Sequence, residues 1–395
     1  MMADITTSIY IGNYSGFVGT TDANVLKIVD QQTYKSLEAF SITYAGIHGY
    51  ISACVCILGI MSNIANIVVL TQPHMTTSSN VILTWLAVAD LFTMIDYFPF
   101  SLQFYIFKPK DLTFPETREY GWICYLLFHA NFSIAMHSIA IWLTIALAIF
   151  RFLYIIFPVR GSAYCSVKNA KKVILIIYVS AVIVCIPNYI SYHYQEKIKN
   201  WTDAVSNITY NETIYDLKHR NEGPFRALFD MNYWLQSMLI KLIPCALLTV
   251  LTICLITGMQ RAYIKRKALK SAGRKDDADK HHQTARTTGM LLAVVILFLI
   301  TELPQGILTM LMIFLPTIQK EVYNPLGDLL DIMALLNNSI NFVLYCSMSK
   351  QFRDTFVQTF CKCFTKEKFR WMKLNLITME KNGNSNNAHG PVTAV

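Results

Sequence analysis

Seven long apolar stretches alternate with short polar stretches along this chain. Each stretch is long enough to cross a bilayer as a helix, which takes about 20 residues, and together the seven contain only six formal charges. This pattern predicts an all-α membrane protein built as a seven-transmembrane helix bundle. The predicted spans are 45–71, 79–106, 121–150, 173–195, 231–260, 287–315 and 322–349.

The polar segments divide the chain into four predicted parts. An N-terminal tail, 1–44, lacks the basic and apolar regions of a cleaved signal. The seven-helix domain covers 45–349. A short eighth helix at 350–363 is predicted to lie on the membrane surface. The remainder, 364–395, is polar and rich in Gly and Asn, which is typical of a disordered tail.

The segment after the seventh span carries two kinds of membrane signal. Phe352, Phe356 and Phe360 recur every four residues with charges between them, a spacing typical of an amphipathic helix lying on a membrane. The cysteines that follow are palmitoylation candidates, and the last three residues, 393–395, fit a terminus that adds a strand to a PDZ domain. The candidate cysteines are Cys361 and Cys363.

The basic residues predict the orientation of the chain in the membrane. The chain is 54% hydrophobic and only 15% charged, against about 25% charged in a soluble domain. With the N-terminus outside, the cytoplasmic segments hold 22 Lys and Arg and the outer segments 11, as the positive-inside rule requires. The net charge of +9 therefore indicates a cytoplasmic face for anionic lipid and a protein partner, not for nucleic acid.

Glycosylation sequons favour the same orientation. Four Asn-x-Ser/Thr triplets fall on the predicted outer side, as expected for a multi-pass plasma-membrane protein with an extracellular N-terminus. The candidate sites are Asn13, Asn200, Asn207 and Asn211.

Most spans also carry a distinctive polar residue or proline. Taken singly, each has a structural explanation, because prolines kink membrane helices and amides hold helices together. Asp90 is harder to explain structurally, since a mid-membrane carboxylate costs roughly 2.5–3.5 kcal/mol on insertion scales. In chain order the set is Asn66, Asp90, Arg151, Pro244, Pro304, Asn341 and Tyr345.

This ordered set resembles the rhodopsin-like G-protein-coupled receptors over about 45–361. The resemblance assigns a role in activation and G-protein coupling to the residues at the cytoplasmic ends and kinks of helices three, six and seven, and it implies that the protein is not an enzyme. The residues so assigned are Arg151, Pro158, Phe298, Pro304, Asn341 and Tyr345.

Several positions depart from the pattern of that family. Phe150 stands where an acid usually precedes the Arg, Glu302 where a Trp is usual, and Phe342 where a Pro is usual. Because Phe150 removes the acid that would restrain Arg151, we expect a less restrained resting state. Cys124 has no cysteine partner in the second outer loop, which leaves Cys185 as its nearby candidate.

These departures narrow the resemblance to one group of receptors within that family. Helix three (SIAIWLTIALAIFRF), helix five (KLIPC), helix six (TELPQG) and helix seven (NFVLYCSMSKQFR) look like those of the invertebrate myosuppressin and FMRFamide-type neuropeptide receptors. That resemblance implies an amidated neuropeptide agonist ending in Arg-Phe-amide. It also implies signalling through a heterotrimeric G protein, with the inhibitory class favoured.

Such a peptide needs acids for its arginine, since guanidinium binds carboxylate bidentately, and an aromatic site for its phenylalanine. Lys241 and Glu302 are opposite charges in adjacent helices and are also expected to pair with each other. For His129 and His137, core packing is the favoured interpretation. The candidates for peptide binding are Asp96, Glu302, Asp328, Asp331, Lys241, Tyr97, Phe100 and Phe104.

A polar core is predicted around Asp90, together with Asn66, Asn337 and Asn341. In the wider family this cluster binds sodium or water, and a static hydrogen-bond network is the alternative. No other cofactor and no metal site are expected.

Other classes of membrane protein fit less well. The seventh span lacks the lysine that a retinal protein needs, no internal repeat indicates a transporter, and no HExxH motif indicates a metalloenzyme. A seven-helix chemosensory receptor for a small molecule, or for a different peptide family, remains the alternative.

Overall fold

Seven long apolar helices make up the membrane part of the protein, as the sequence predicts. The computed structural model describes residues 31–107, 119–157, 161, 163–202, 209–219, 225–271, 292, 295–297, 299–312, 314–315 and 317–360. Four of the seven spans are single helices: α1 (Gln31–Leu70), α2 (Ser78–Ser101), α3 (Tyr120–Ile156) and α4 (Val167–Ser191).

The remaining spans are more irregular. In α5 a π-helical turn, Gln236–Leu242, joins the α-helices Phe225–Leu235 and Ile243–Ser271. The sixth span, α6, covers Val295–Met312. A π-helical turn at Gln319–Tyr323 leads into α7 (Asn324–Met348). Another at Leu102–Ile106 extends α2. Such π-turns are frequent at functional sites.

The first helix begins at Gln31 rather than at 45, where the apolar run begins. Its 40 residues correspond to about 60 Å of helix, twice the roughly 30 Å of a bilayer core. The added segment contains no Gly or Pro, the two residues that disfavour a helix interior most. Helix α1 therefore reaches past the membrane at its N-terminal end, into the segment predicted as tail.

The second outer loop forms a β-hairpin, so the all-α prediction holds only for the membrane part of the protein. Strands β1 (Tyr192–Thr202) and β2 (Thr209–His219) are antiparallel, with Tyr192 opposite His219. Both strands are rich in Tyr, Ile and Thr, which favour strands. Tyr194 and Tyr215 on the two strands pack their rings against Tyr120 at the start of α3, which places the hairpin over that end of the bundle.

An eighth helix, α8 (Lys350–Phe360), follows α7 directly. Phe352 is buried and packs its ring on Tyr345 of α7. Nε2 of His74, in the 3₁₀ turn Pro73–Met75, lies 2.8 Å from the hydroxyl of Thr355. These contacts fix α8 against the bundle, and its placement on a membrane surface stays a prediction.

Glycine allows α1 and α2 to approach closely near the hairpin end. A Cβ on Gly49 would lie 2.5 Å from Cβ of Tyr105, and one on Gly59 would lie 2.9 Å from Sδ of Met94. Small residues at helix contacts are the usual means of close packing in membranes. The approach at Gly49 brings the neighbouring His48 against the aromatic residues of α2.

Candidate functional site

Three carboxylates lie toward the hairpin end of the bundle, and we call them the carboxylate cluster, together with the side chains that hold them: Asp96 on α2, and Asp328 and Asp331 on α7. Asp96 and Asp331 are only 6% and 2% exposed. Unpaired charges are expensive at such depth, so the partners of these acids decide what the cluster can do.

Histidine and tyrosine side chains hold Asp96. Its Oδ2 lies 2.8 Å from Nδ1 of His129 on α3, and its backbone carbonyl accepts a hydrogen bond from the Tyr125 hydroxyl at 2.5 Å. Its other oxygen, Oδ1, has no hydrogen-bond partner among the described residues. His129 is buried, in keeping with core packing, and its ring is also the partner of a buried acid.

Tyrosines of α2 hold the two acids of α7. The Tyr97 hydroxyl donates to Oδ2 of Asp331 at 3.3 Å and lies 3.0 Å from Nε2 of His48 on α1. The Tyr105 hydroxyl donates to Oδ1 of Asp328 at 2.7 Å. The cluster therefore joins α1, α2, α3 and α7.

The aromatic residues predicted as walls for a ligand lie within this cluster. Phe100 stacks on the His129 ring with 4.2 Å between ring centroids, and it packs edge-on against Tyr97 and on Phe104. Tyr97 and Phe100 are at most 1% exposed. These two rings therefore pack against the side chains that hold the carboxylate cluster, and they do not face an open pocket in the described structure.

Lys241 and Glu302 form a second, deeper group, which we call the ion-pair cluster. Nζ of Lys241 lies 2.8 Å from Oε2 of Glu302, as the sequence predicts. The ammonium also lies 2.7 Å from Oε1 of Gln305 and 3.1 Å from Nε2 of His137. That His137 nitrogen lies 3.0 Å from the same Glu302 oxygen, so this buried ring is both packed in the core and part of the cluster. The cluster joins α3, α5 and α6.

The polar core at Asp90 surrounds a cavity of about 10 Å³, enough for roughly one water molecule. Asn341 donates to Oδ2 of Asp90 at 3.0 Å, and Asn337 lines the cavity. Asn66 is buried, and its amide donates to Asn63, 3.5 Å away; its membership of a hydrated cluster with Asp90 stays a prediction.

The same cavity has oxygen donors that suit a small hard cation or a water. Its polar lining comes from the Asp90 carboxylate, the Thr144 hydroxyl and asparagine side chains. His137 of the ion-pair cluster forms part of the wall. The two sites therefore share one side chain.

Buried amides join α3, α4 and α5 near the hairpin, and sequence reasoning missed them. Asn188 donates to Oδ1 of Asn131 at 2.8 Å and accepts from Asn232 and Gln236 at 3.0 and 2.9 Å. Asn188 is fully buried. Polar residues inside apolar spans were the available signal, but nothing in their spacing shows that they meet.

Arg151 and Tyr345, two of the predicted coupling residues, lie toward the end of the bundle opposite the hairpin, whereas Asn341 bonds to Asp90 in the polar core. Arg151 is half-buried near the end of α3, and Tyr345 of α7 is buried. Phe150, in place of an acid, is itself buried in the core. Pro304 lies exposed on α6, and the structure does not describe Pro158 or Phe298.

The covalent predictions are tested in part. Cys124 and Cys185 are both free thiols, so no bond joins them in this structure. Asn200 and Asn211 are exposed and directly opposite each other in the hairpin. The other candidates lie outside the described residues: Asn13, Asn207, Cys361, Cys363 and the C-terminal residues 393–395.

Seven spanning helices, a buried acid beside a small cavity lined by polar side chains and an arginine at the far end of α3 are the features of a seven-helix signalling receptor. A family model described as "Serpentine type 7TM GPCR chemoreceptor Srw" matches residues 50–363. The chain belongs to this family, within the rhodopsin-like G-protein-coupled receptors, and is a receptor rather than an enzyme.

Curated relatives agree with that placement. The "G-protein coupled receptor dmsr-1" of Caenorhabditis elegans is 29% identical, over 80% of this chain and 68% of its own. The "Sex peptide receptor" of Drosophila melanogaster is 28% identical, over 80% and 72%. The "FMRFamide receptor" of the same fly is 23% identical, over 91% and 62%.

Proposed function

We propose that this protein is a plasma-membrane receptor for an amidated neuropeptide of the Arg-Phe-amide, myosuppressin-like type. Relatives named as receptors for FMRFamide, sex peptide and allatostatin-A support a peptide ligand. The receptor would signal through a heterotrimeric G protein of the inhibitory class. The basic cytoplasmic segments and the charge count of the sequence support an extracellular N-terminus.

The carboxylate cluster is the observation that carries this proposal. Asp96 keeps one buried oxygen without a partner in the described structure, and its other oxygen meets an imidazole. Asp328, from α7, is held by a neutral tyrosine hydroxyl. Two acids held in this way favour a cation, and a planar guanidinium matches carboxylate geometry. The arginine of the peptide would supply it.

Signal transfer would then follow α3. One helix carries His129 of the carboxylate cluster, His137 of the ion-pair cluster and Arg151 at the G-protein end. We propose that ligand binding breaks or remakes the Glu302 pairing, which stands where the family has a tryptophan. The Asp90 cavity, sharing His137, would hold water or sodium and repack on activation.

Surface modifications and further partners complete the proposal. Glycans at the hairpin sequons, palmitate on the cysteines after α8, anionic lipid along the basic face and a PDZ protein at the C-terminus remain proposals from sequence. The exposed position of Asn200 and Asn211 supports glycosylation at those two sites.

The test is a peptide screen in cells that express the receptor, with G-protein activation as the readout. Amidated Arg-Phe peptides should activate it, and the corresponding free acids should not. Arg151→Ala should abolish signalling while the receptor stays at the surface. Pertussis toxin, which blocks the inhibitory class, should remove the response.

The role of the carboxylate cluster is tested by changing both partners. Replacing the peptide arginine by citrulline, which is uncharged and of the same shape, should lower potency about 10- to 100-fold at the wild type. At Asp96→Asn the arginine and citrulline peptides should be nearly equal, and Asp331→Asn should weaken the arginine peptide. An undiminished arginine preference at Asp96→Asn would refute the contact.

A small-molecule ligand is the second candidate, favoured by the word chemoreceptor in the family description. The same screen separates the two. Silence to all peptides, with confirmed surface expression, would move the assignment to a small molecule or to another peptide family.

A further inference from the structure

In the ion-pair cluster, all three N–H donors of the Lys241 ammonium are used. Lys241 has three N–H groups, and three acceptors lie within hydrogen-bond distance of its Nζ: Oε2 of Glu302, Oε1 of Gln305 and Nε2 of His137. The Gln305 amide donates onward to the Tyr323 hydroxyl at 3.3 Å. With Nε2 of His137 as an acceptor, no ammonium proton remains for another group.

One acceptor in this cluster is not used. Oε1 of Glu302 is buried, in a residue 1% exposed, and no donor reaches it in the described part of the chain. If His137 instead carries its proton on Nε2, that proton points at Oε2, and Oε1 still lacks a donor. A buried charged acceptor without a donor is costly. The site is therefore built to receive an uncharged hydrogen-bond donor.

The depth of Glu302 suits the end of a peptide whose arginine occupies the carboxylate cluster. His129, the partner of Asp96, and His137, the partner of Glu302, are eight positions apart on α3, which is about 12 Å along the axis. Two extended residues span about 7 Å, and the arginine side chain adds further reach. One Arg-Phe-amide end can therefore touch both levels.

We infer that Oε1 of Glu302 accepts a hydrogen bond from the C-terminal carboxamide N–H of the ligand, and that this contact selects amidated peptides over free acids. The assignment rests on the proposed function and names the residue that reads the amide. A free carboxylate offers only acceptors and a negative charge beside Glu302. The N–H groups of Lys241, which could otherwise bind a carboxylate, already donate to other acceptors.

The first experiment needs no protein variant. One Arg-Phe peptide is made with four C-terminal groups: carboxamide, N-methylamide, N,N-dimethylamide and free acid. The dimethylamide is neutral but has no N–H, so it should lose about 10- to 100-fold in potency at the wild type, the effect of one hydrogen bond to a charged group. The N-methylamide, which keeps one N–H, should retain most of the potency.

Equal potency of carboxamide and dimethylamide would overturn the inference. It would mean that the site distinguishes peptides only by their charge, or that a bound water always donates to Oε1 of Glu302.

The second experiment removes the acceptor. Lys241→Met with Glu302→Met replaces the ion pair by apolar side chains of similar length, and such exchanges are often tolerated. The binding affinities of the carboxamide and the dimethylamide, measured directly because this variant lacks the proposed signalling pair, should then differ by less than about threefold. Asp331→Asn is the matched control: it should weaken both peptides and leave their ratio unchanged. A ratio that persists in the double variant would assign the amide contact elsewhere.

The outcomes also separate this inference from the proposed function. If amidated peptides activate the wild type but the dimethylamide result fails, the ligand class stands and Glu302 is not its reader. If the wild type neither binds nor responds to any of the four peptides, the proposed ligand class is wrong, and this assignment is wrong with it.

Discussion

Removing Lys241 alone should destabilise the receptor far more than removing the whole ion pair. In Lys241→Met the Glu302 carboxylate, 1% exposed, loses its ammonium partner, at a cost of about 3–5 kcal/mol. The Gln305 oxygen also loses its donor, which costs about 1–3 kcal/mol. Lys241→Met combined with Glu302→Met carries the same loss at Gln305 but leaves no buried charge. The double variant should therefore be about 3–5 kcal/mol more stable than the single one.

Thermal unfolding of purified, ligand-free receptor in detergent measures this difference. At about 2 °C per kcal/mol for a large domain, the double variant should unfold about 6–10 °C above Lys241→Met. Wild type provides the upper reference. If the single variant proved as stable as the double one, Lys241 would not be neutralising Glu302. The ion-pair cluster, and the donor accounting drawn from it, would then be wrong.

Three further variants test the close approach of α1 and α2, the buried amides and the resting state of the receptor. Gly49→Ala should cost about 1–3 kcal/mol of stability and lower peptide potency, because its Cβ would meet Tyr105; Gly46→Ala, with nothing within 4 Å, is the control, and equal melting temperatures for the two variants would contradict the close approach. Asn188→Leu should lower the melting temperature through a loss of about 2–4 kcal/mol, since three amides lose their partner; an unchanged melting temperature would show that the amides are satisfied without it. Phe150→Asp should lower basal G-protein activation, and basal activity indistinguishable from zero in both wild type and variant would refute the less restrained resting state.

The membrane architecture follows from local sequence. Twenty apolar residues in a row can satisfy their backbone hydrogen bonds only as a helix when no water is present, and this is why all seven spans were predicted. The ion pair of Lys241 and Glu302 was also predictable, since two opposite charges in adjacent spans have few other partners. The hairpin was not, because its polar strands show little of the alternation of apolar and polar residues that marks a strand, and its packing face is defined by α3.

The candidate site was predictable in its residues and not in its pairings. Asp96, Asp328 and Asp331 stood out as acids in apolar helices, and the structure pairs each of them with a His or Tyr side chain of a neighbouring helix. His129 and His137 were assigned to core packing, since an imidazole on an apolar helix looks the same whether or not an acid faces it. Asn66 was grouped with Asp90, and in the structure its amide donates to Asn63, one turn earlier on the same helix.

The sequence by itself determined the class of protein: the spans, the sidedness of charge and the ordered polar residues are properties of each segment and need no neighbours. The tertiary structure decided which side chains meet, because rotation and tilt of each helix depend on packing against the others. A turn of one helix by a single residue would move Asp96 away from His129. The unfilled oxygen of Glu302 likewise exists only because α3 and α5 place His137 and Lys241 at its other oxygen.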